Sequence, residues 1–325
     1  MEIGVIGSGL MVSYVLDVLK DSNEISINSI FNREKSVDKL LKIQKDFNVK
    51  YIYTNIDEFL KSDKFDTVYV AVINSLHYEY TKKALIAGKN VICEKPFTTN
   101  FKDSVELATI ARKNKLFLFE AVARQYSLDY HNIKKNIKEL GQISLIQCNN
   151  SQYSRRFDKY LEKEVLPVFD LKYGGGCLYD INIYCIHFVV GIFKKPKSVQ
   201  YYPNLGFNNV DISGIAILDY GEFKAVCLGA KDSSSPPSNI IQGYKGYIKT
   251  DTSYGQSKST LILRKKKEMK LYEDESVSSL LYEFKIIKNI IDSNNYDLMN
   301  EYLNTTLDVM ETLEMLRKSA QIKFE

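Results

Sequence analysis

The sequence predicts an α/β protein: an N-terminal Rossmann domain with a doubly wound parallel sheet, then an α+β domain with a large, mostly antiparallel sheet. Three observations predict it. The chain opens on an apolar strand, a glycine turn and an amphipathic helix, EIGVI, GSG and LMVSYVLDVLK. Strand and helix patterns then alternate to about residue 120. Beyond that point short strands follow one another with turn signals between them. The expected boundaries are a dinucleotide-binding domain over 1–120 and a substrate-binding and dimerisation domain over 121–325.

Each element has its own warrant. In the first helix Leu10, Val12, Val15, Leu16 and Leu19 recur at helical spacing. ISINSIF (25–31) reads as a strand and 35–46 as a helix. TVYVAV (67–72), NVICE (90–94) and LFLFE (116–120) read as strands, with helices over 76–87 and 101–114. In the second part ISLIQCNN (143–150), KSVQYY (197–202), ISGIAILDY (212–220) and FKAVCLGA (223–230) alternate or run apolar as strands. NIIQGY, GYIKTD and TLILRKK continue the series, and helices near 277–292 and 298–319 close the chain.

Composition narrows the function. The 325 residues are 45% hydrophobic and 26% charged, as in a globular protein of two domains. Net charge is +4 from 44 basic and 40 acidic residues, too even for a nucleic-acid partner. The run Arg264-Lys265-Lys266-Lys267 reads as a solvated hairpin tip. Five scattered cysteines without a CxxC exclude a zinc ribbon or a disulfide framework and suit a reducing cytosol. MEIGVIGSG has no signal-peptide character, and no apolar run approaches the ~20 residues of a membrane span. These features lead to the expectation of a cytoplasmic protein.

The glycine turn carries the first chemistry. Gly7 permits a tight turn, and Gly9 lets the backbone approach a pyrophosphate at the helix N-terminus. Val12 stands where a third small residue is usual, which predicts a helix pushed slightly off the sheet. The second strand ends Phe31-Asn32-Arg33, without the acid that an NAD ribose prefers, so NADP(H) is expected ahead of NAD(H).

The stretch VICEKPF carries the second. In an open parallel sheet ligands sit outside the carboxyl ends of strands, where Glu94 and Lys95 fall, as do Asn74 and His77. A lysine there can stabilise an alkoxide or move a proton, and Pro96 restricts its backbone to extended geometry. The third is GGGCLYDINIYCIHFVVG (174–191), where Asp180 and Tyr184 lie four apart on one helical face. His187 follows one turn on, and a buried polar role is expected for it.

These motifs resemble the glucose–fructose oxidoreductase / inositol dehydrogenase family, Gfo/Idh/MocA, over essentially the whole chain. The resemblance rests on GSGLMV, NSLHYEYTKKALIAGKNVICEKP (74–96), EAVARQY (120–126) and GGGCLYDINIY (174–184). It implies a catalytic set of Lys95, Asp180 and Tyr184, tyrosine in the last position being similar to the dihydrodiol and aldose dehydrogenase branch. The expected cofactor contacts are Gly7, Ser8, Gly9, Leu10, Met11, Asn32, Arg33, Val72, Asn74, His77, Glu94, Lys95 and Arg124, and no metal is expected. Val12, Ile73 and the absence of proline after Arg124-Gln125-Tyr126 depart from the family pattern. The expected function is NAD(P)-dependent hydride transfer to or from an alcohol or carbonyl carbon of a sugar, polyol or diol. A glycosidase using transient oxidation and a cofactor-sensing regulator are the alternatives. Both faces of ISGIAILDY and FKAVCLGA carry apolar residues, which leads to the expectation of a homodimer through the second-domain sheet.

Overall fold

The computed structural model describes residues 1–253, 256–264, 267–274 and 278–324. The chain forms two compact units, one of residues 1–123 with 280–307, the other of 124–279 with 308–325.

The first unit is built on β1 (Glu2–Ile6), β2 (Ser26–Phe31), β3 (Tyr51–Tyr53), β4 (Thr67–Val70), β5 (Asn90–Glu94) and β6 (Leu118–Ala121). All neighbours pair in parallel, in the order β3-β2-β1-β4-β5-β6. The connections are α1 (Leu10–Leu19), α2 (Val37–Phe47), α3 (Ile56–Lys61), α4 (His77–Ile86) and α5 (Phe101–Asn114). Ile3, Val5, Val68, Tyr69, Val91 and Ile92 are fully buried, as strands covered on both faces must be. Strand order reverses between β1 and β4, which marks the ligand crevice of such a sheet. The sequence reading lacked β3 and α3. A three-residue edge strand that is only partly buried carries too little periodicity to announce itself.

The second unit contains α6 (Ala123–Tyr126), which begins at the boundary, α7 (Leu128–Asn136), α8 (Phe157–Leu161) and α9 (Ile183–Phe193). Its strands are β7 (Ile143–Ser151), β8 (Ser198–Leu205), β9 (Asp211–Asp219), β10 (Lys224–Ala230), β11 (Ser238–Gly243), β12 (Gly246–Ser253), β13 (Gln256–Leu263) and β14 (Lys267–Asp274). They form one eight-stranded sheet in the order β14-β13-β12-β11-β7-β10-β9-β8. Only β7 and β10 pair in parallel among these neighbours, so the sheet is mostly antiparallel. One face carries Ala216, Leu218, Ala225 and Cys227, all fully buried. Of the basic run expected at a hairpin tip, Arg264 follows β13 and Lys267 opens β14, and Lys265 and Lys266 lie outside the described residues.

Two helices complete the chain, α10 (Ser279–Asp292) and α11 (Tyr296–Ser319). Residues 280–307 belong with the first unit, whereas the sequence reading gave this stretch to the second domain. Aromatic contacts account for the difference: Phe284 meets Tyr69 edge-on at 5.5 Å, and Tyr296 stacks on Phe117 at 4.3 Å.

One helical stretch, Leu171–Phe193, is long and apolar enough to cross a membrane, against the expectation that no run would be. It is mostly buried inside the fold, which is the situation of a core helix.

Candidate active site

The glycine turn is shaped by two different needs. Gly7 has φ +125°, and a Cβ there would stand 2.1 Å from the carbonyl oxygen of Ala71, beyond the end of β4. Only glycine lets β1 and β4 close up at the point of reversal. Gly9 is instead open: a Cβ would meet nothing within 4 Å, and no side chain caps α1. Its exposed backbone precedes Leu10 and Met11, which are themselves exposed. An uncapped ten-residue helix behind an unobstructed glycine fits a dinucleotide pyrophosphate. Val12 is fully buried, so the bulk expected to push the helix away is taken up in its packing.

Beside this turn, Asn32 Nδ2 donates to Ser8 Oγ at 2.5 Å, and the Arg33 N–H donates to Asn32 Oδ1 at 2.8 Å. Arg33 itself is exposed, and Glu34 stands in the next short turn, away from the strand end. The residues after β2 therefore offer amide and guanidinium groups and no strand-end carboxylate.

At the end of β5 the backbone on either side of Lys95 is held from below. The Tyr69 hydroxyl donates to Glu94 Oε1 at 2.6 Å. Glu120 Oε1 accepts from the Phe97 N–H at 3.0 Å, and its Oε2 accepts from the Thr306 hydroxyl at 3.0 Å. The Lys95–Pro96 peptide is cis. Burial pushes the Glu94 carboxyl above its ordinary range, opposed by the Tyr69 bond and the Lys95 charge. Glu283, fully buried and nearby, is driven well above the ordinary range by burial and then by the charge of Glu94. Lys95 is half-buried and ends this scaffold.

His77, expected among the cofactor contacts, is almost fully buried. Its Nδ1 lies 2.7 Å from the Pro96 carbonyl and its Nε2 3.2 Å from that of Val72. The ring thus brackets the chain after β4 against the chain after β5, and burial lowers its pKa. Val72 and Asn74 are half-buried on the same connection.

In the second unit Asp180 lies in a π-helical turn, Leu178–Asn182, that leads into α9. The sequence reading treated 174–191 as regular helix; the wider turn follows Gly176, whose φ is +121°. A Cβ on Gly176 would fall 2.0 Å from Asp211 Oδ1, so glycine here admits that carboxylate. Asp211 accepts from the Leu178 N–H at 2.6 Å and the Tyr201 hydroxyl at 2.8 Å, and burial pushes its carboxyl up to about 6. From Cys177 to Val190, only Asp180, Ile181 and Tyr184 are not buried. The expected pair therefore shares the accessible side of a buried helix. His187 is buried, with Nδ1 against the Gln125 side chain, in the polar interior role expected of it. Arg124, in α6, is half-buried.

Sequence reasoning missed two polar residues around Asp180. Asp211 opens β9, and Lys231 follows β10; Lys231 Nζ lies 2.9 Å from Asp180 Oδ2. A lysine directly behind the apolar strand KAVCLGA was the one signal, and without the proline that follows Lys95 it reads as a surface residue. Glu120 and Tyr69 were also passed over, as a motif residue and a strand residue.

Residues 1–122 match the oxidoreductase family with an NAD-binding Rossmann fold, GFO_IDH_MocA. The chain is 27% identical over 324 residues to the scyllo-inositol 2-dehydrogenase (NADP(+)) IolU of Bacillus subtilis, covering 100% of this chain and 98% of that one. It is 28% identical over 239 residues to a trans-1,2-dihydrobenzene-1,2-diol dehydrogenase of Xenopus tropicalis, covering 72% of this chain and 70% of that protein. Among solved structures, the fold is that of KijD10, a 3-ketoreductase from Actinomadura kijaniata, with TM-score 0.84, 18% identity and 98% and 97% of the two chains covered. Residues 1–122 thus carry the NAD-binding Rossmann domain of the Gfo/Idh/MocA oxidoreductase family, and relatives named as dehydrogenases match the chain through both sheets.

Proposed function

We propose that the protein transfers hydride between NADP(H) and a secondary alcohol or carbonyl carbon of a sugar, polyol or diol. The observation that carries this reading is Lys95 at the carboxyl end of β5, on backbone clamped by Glu120 and His77, two strands from the open glycine turn. The bound nicotinamide supplies or takes up the hydride. Lys95 donates a hydrogen bond to the reacting oxygen and stabilises the alkoxide form of the alcohol. Tyr184 donates its phenolic proton to that oxygen in reduction and recovers it in oxidation, and Asp180 orients the phenol and the substrate hydroxyls. NADP(H) is favoured by the absence of an acid at the end of β2 and by exposed Arg33. The name of IolU, which specifies NADP(+), points the same way.

The protein is proposed to act as a cytoplasmic homodimer. Five free, buried cysteines suit a reducing compartment. Tyr202, Ile215 and Leu228 sit side by side across β8, β9 and β10 and are 58%, 42% and 37% exposed. Such an apolar row on an open sheet face is suited to pairing with a second copy. Sedimentation at micromolar concentration is expected to show the dimer, and Ile215→Asp the monomer; a monomeric wild-type protein would remove this reading.

A panel of polyols, diols and aldoses, assayed with both cofactors by nicotinamide absorbance, tests the activity. Net reduction of NADP⁺ by at least one member is expected. Release of an aglycone from glycosides without net cofactor reduction would instead establish the glycosidase.

A further inference from the structure

Lys231 is a buried cation, only 1% exposed, that touches a residue of the proposed reaction. Its position is fixed from backbone and side chain alike. The Lys231 N–H donates to the Ile212 carbonyl at 2.8 Å, and its own carbonyl accepts from the Ser154 N–H at 2.8 Å. The ammonium then has three partners on different sides. It lies 2.9 Å from Asp180 Oδ2, donates to the Val168 carbonyl at 2.5 Å, and stands 4.2 Å over the ring of Phe169. Phe169 belongs to a buried cluster with Phe157, Tyr160 and Val210, and Val168 packs against it. Lys231 therefore ties this cluster to the π-helical turn that carries Asp180.

We propose that Lys231 is a positioning residue for the reaction, whose buried ammonium fixes the direction of the Asp180 carboxylate and keeps it ionised. This rests on the reading of Asp180 as a reaction residue. The chemistry follows from the surroundings. The Asp180 side chain is only 28% exposed, which by itself favours the neutral acid. Other acids crowd the same region. Asp211 from β9 is pushed up to about 6 by burial, and Asp232 accepts from the Ser213 hydroxyl at 3.1 Å. Cys177, immediately before the turn, stays a thiol because burial, then Asp211, raises it. Tyr184 lies four residues on and is half-buried. Among these groups Lys231 supplies positive charge at contact distance from Asp180, and it lowers the pKa of Asp211 as well. A protonated Asp180 would lose the negative charge that aims a phenol and substrate hydroxyls, so the ion pair sets the acid limit of activity.

Lys231→Met keeps the length of the stem and removes the charge. Its kcat/KM profile is expected to lose activity on the acid side roughly 1–2 pH units above wild type, the size of effect an opposite charge at contact exerts. Lys231→Arg is expected to restore the wild-type limb. Carboxyl ¹³C titration of the intact wild-type enzyme gives a reading that does not depend on a variant folding. The Asp180 signal, assigned by its loss in Asp180→Asn, is expected to titrate at or below the ordinary aspartate range, distinct from Asp211. An unshifted acid limb in folded Lys231→Met, or an Asp180 midpoint above the ordinary range, overturns the proposal. If Asp180→Asn is inactive while Lys231→Met behaves as wild type, only the role of Lys231 falls. Full activity in Asp180→Asn removes the reading of Asp180, and this proposal with it.

Discussion

Tyr184 and Arg33 show how far single side chains carry the argument. Tyr184 is one of three accessible positions on a helix otherwise packed on every side, which costs core burial unless the phenol has work outside. Tyr184→Phe keeps the ring and removes the proton. If the phenol moves that proton, kcat is expected to fall ~10²–10⁴-fold. A change of less than tenfold would leave the transfer to Lys95. Arg33 is exposed, so its worth depends on what it meets. Arg33→Ala is expected to weaken NADPH binding about 10-fold or more, the value of a hydrogen bond to a charged group, and to leave NADH almost unchanged. Equal losses for both cofactors, read by fluorescence titration, would contradict the phosphate contact. Lys95, Asp180 and Tyr184 stand out in the sequence as candidates because each combines a reactive side chain with a strand end or a glycine-led helix. Lys231 was not. A lysine after a strand ordinarily reads as surface, and its burial depends on Val168 and Phe169, some sixty residues away in sequence.

Among the elements, the turn after Gly176 holds the most specific geometry. Its φ of +121° and the Asp211 carboxylate 2.0 Å from a would-be Cβ act together. Gly176→Ala is expected to cost roughly 1–3 kcal/mol in backbone strain and to displace the Leu178 N–H from Asp211. Urea unfolding measures the first effect and kcat the second, and an unaffected variant would refute the account of this turn. Apart from β3 and β14, the strands of both sheets were legible from apolar runs and alternation. The π-helical turn was not, since Asp180 and Tyr184 have the same spacing in sequence whether the turn is regular or widened. Likewise β3 escaped notice because three half-exposed residues at a sheet edge leave no pattern. The partition of α10 and α11 rests on the Phe284–Tyr69 and Tyr296–Phe117 contacts, which no local periodicity encodes.

Across the whole molecule, buried acids set the response to pH. Glu94 and Glu283 in the first unit and Asp211 in the second all have raised pKa values, with burial as the largest cause. A carboxyl raised in the folded state contributes stability at low pH that is lost as pH rises through its folded pKa. For Asp211 that loss falls between 3.8 and about 6. Glu283, shifted well above 4.5, extends it to higher pH. Glu283→Gln mimics the protonated form and is expected to flatten the fall in Tm from pH 5 to pH 8; an unchanged slope would place the titration elsewhere. The central claim is that a cofactor-binding sheet and Lys95 together perform hydride transfer, and it is tested most directly by measuring turnover and NADPH affinity together in Lys95→Ala. With the best substrate of the panel, turnover is expected to fall ~10²–10⁴-fold while NADPH binds within about threefold of wild type. Near-normal turnover in a variant that still binds NADPH would contradict the account.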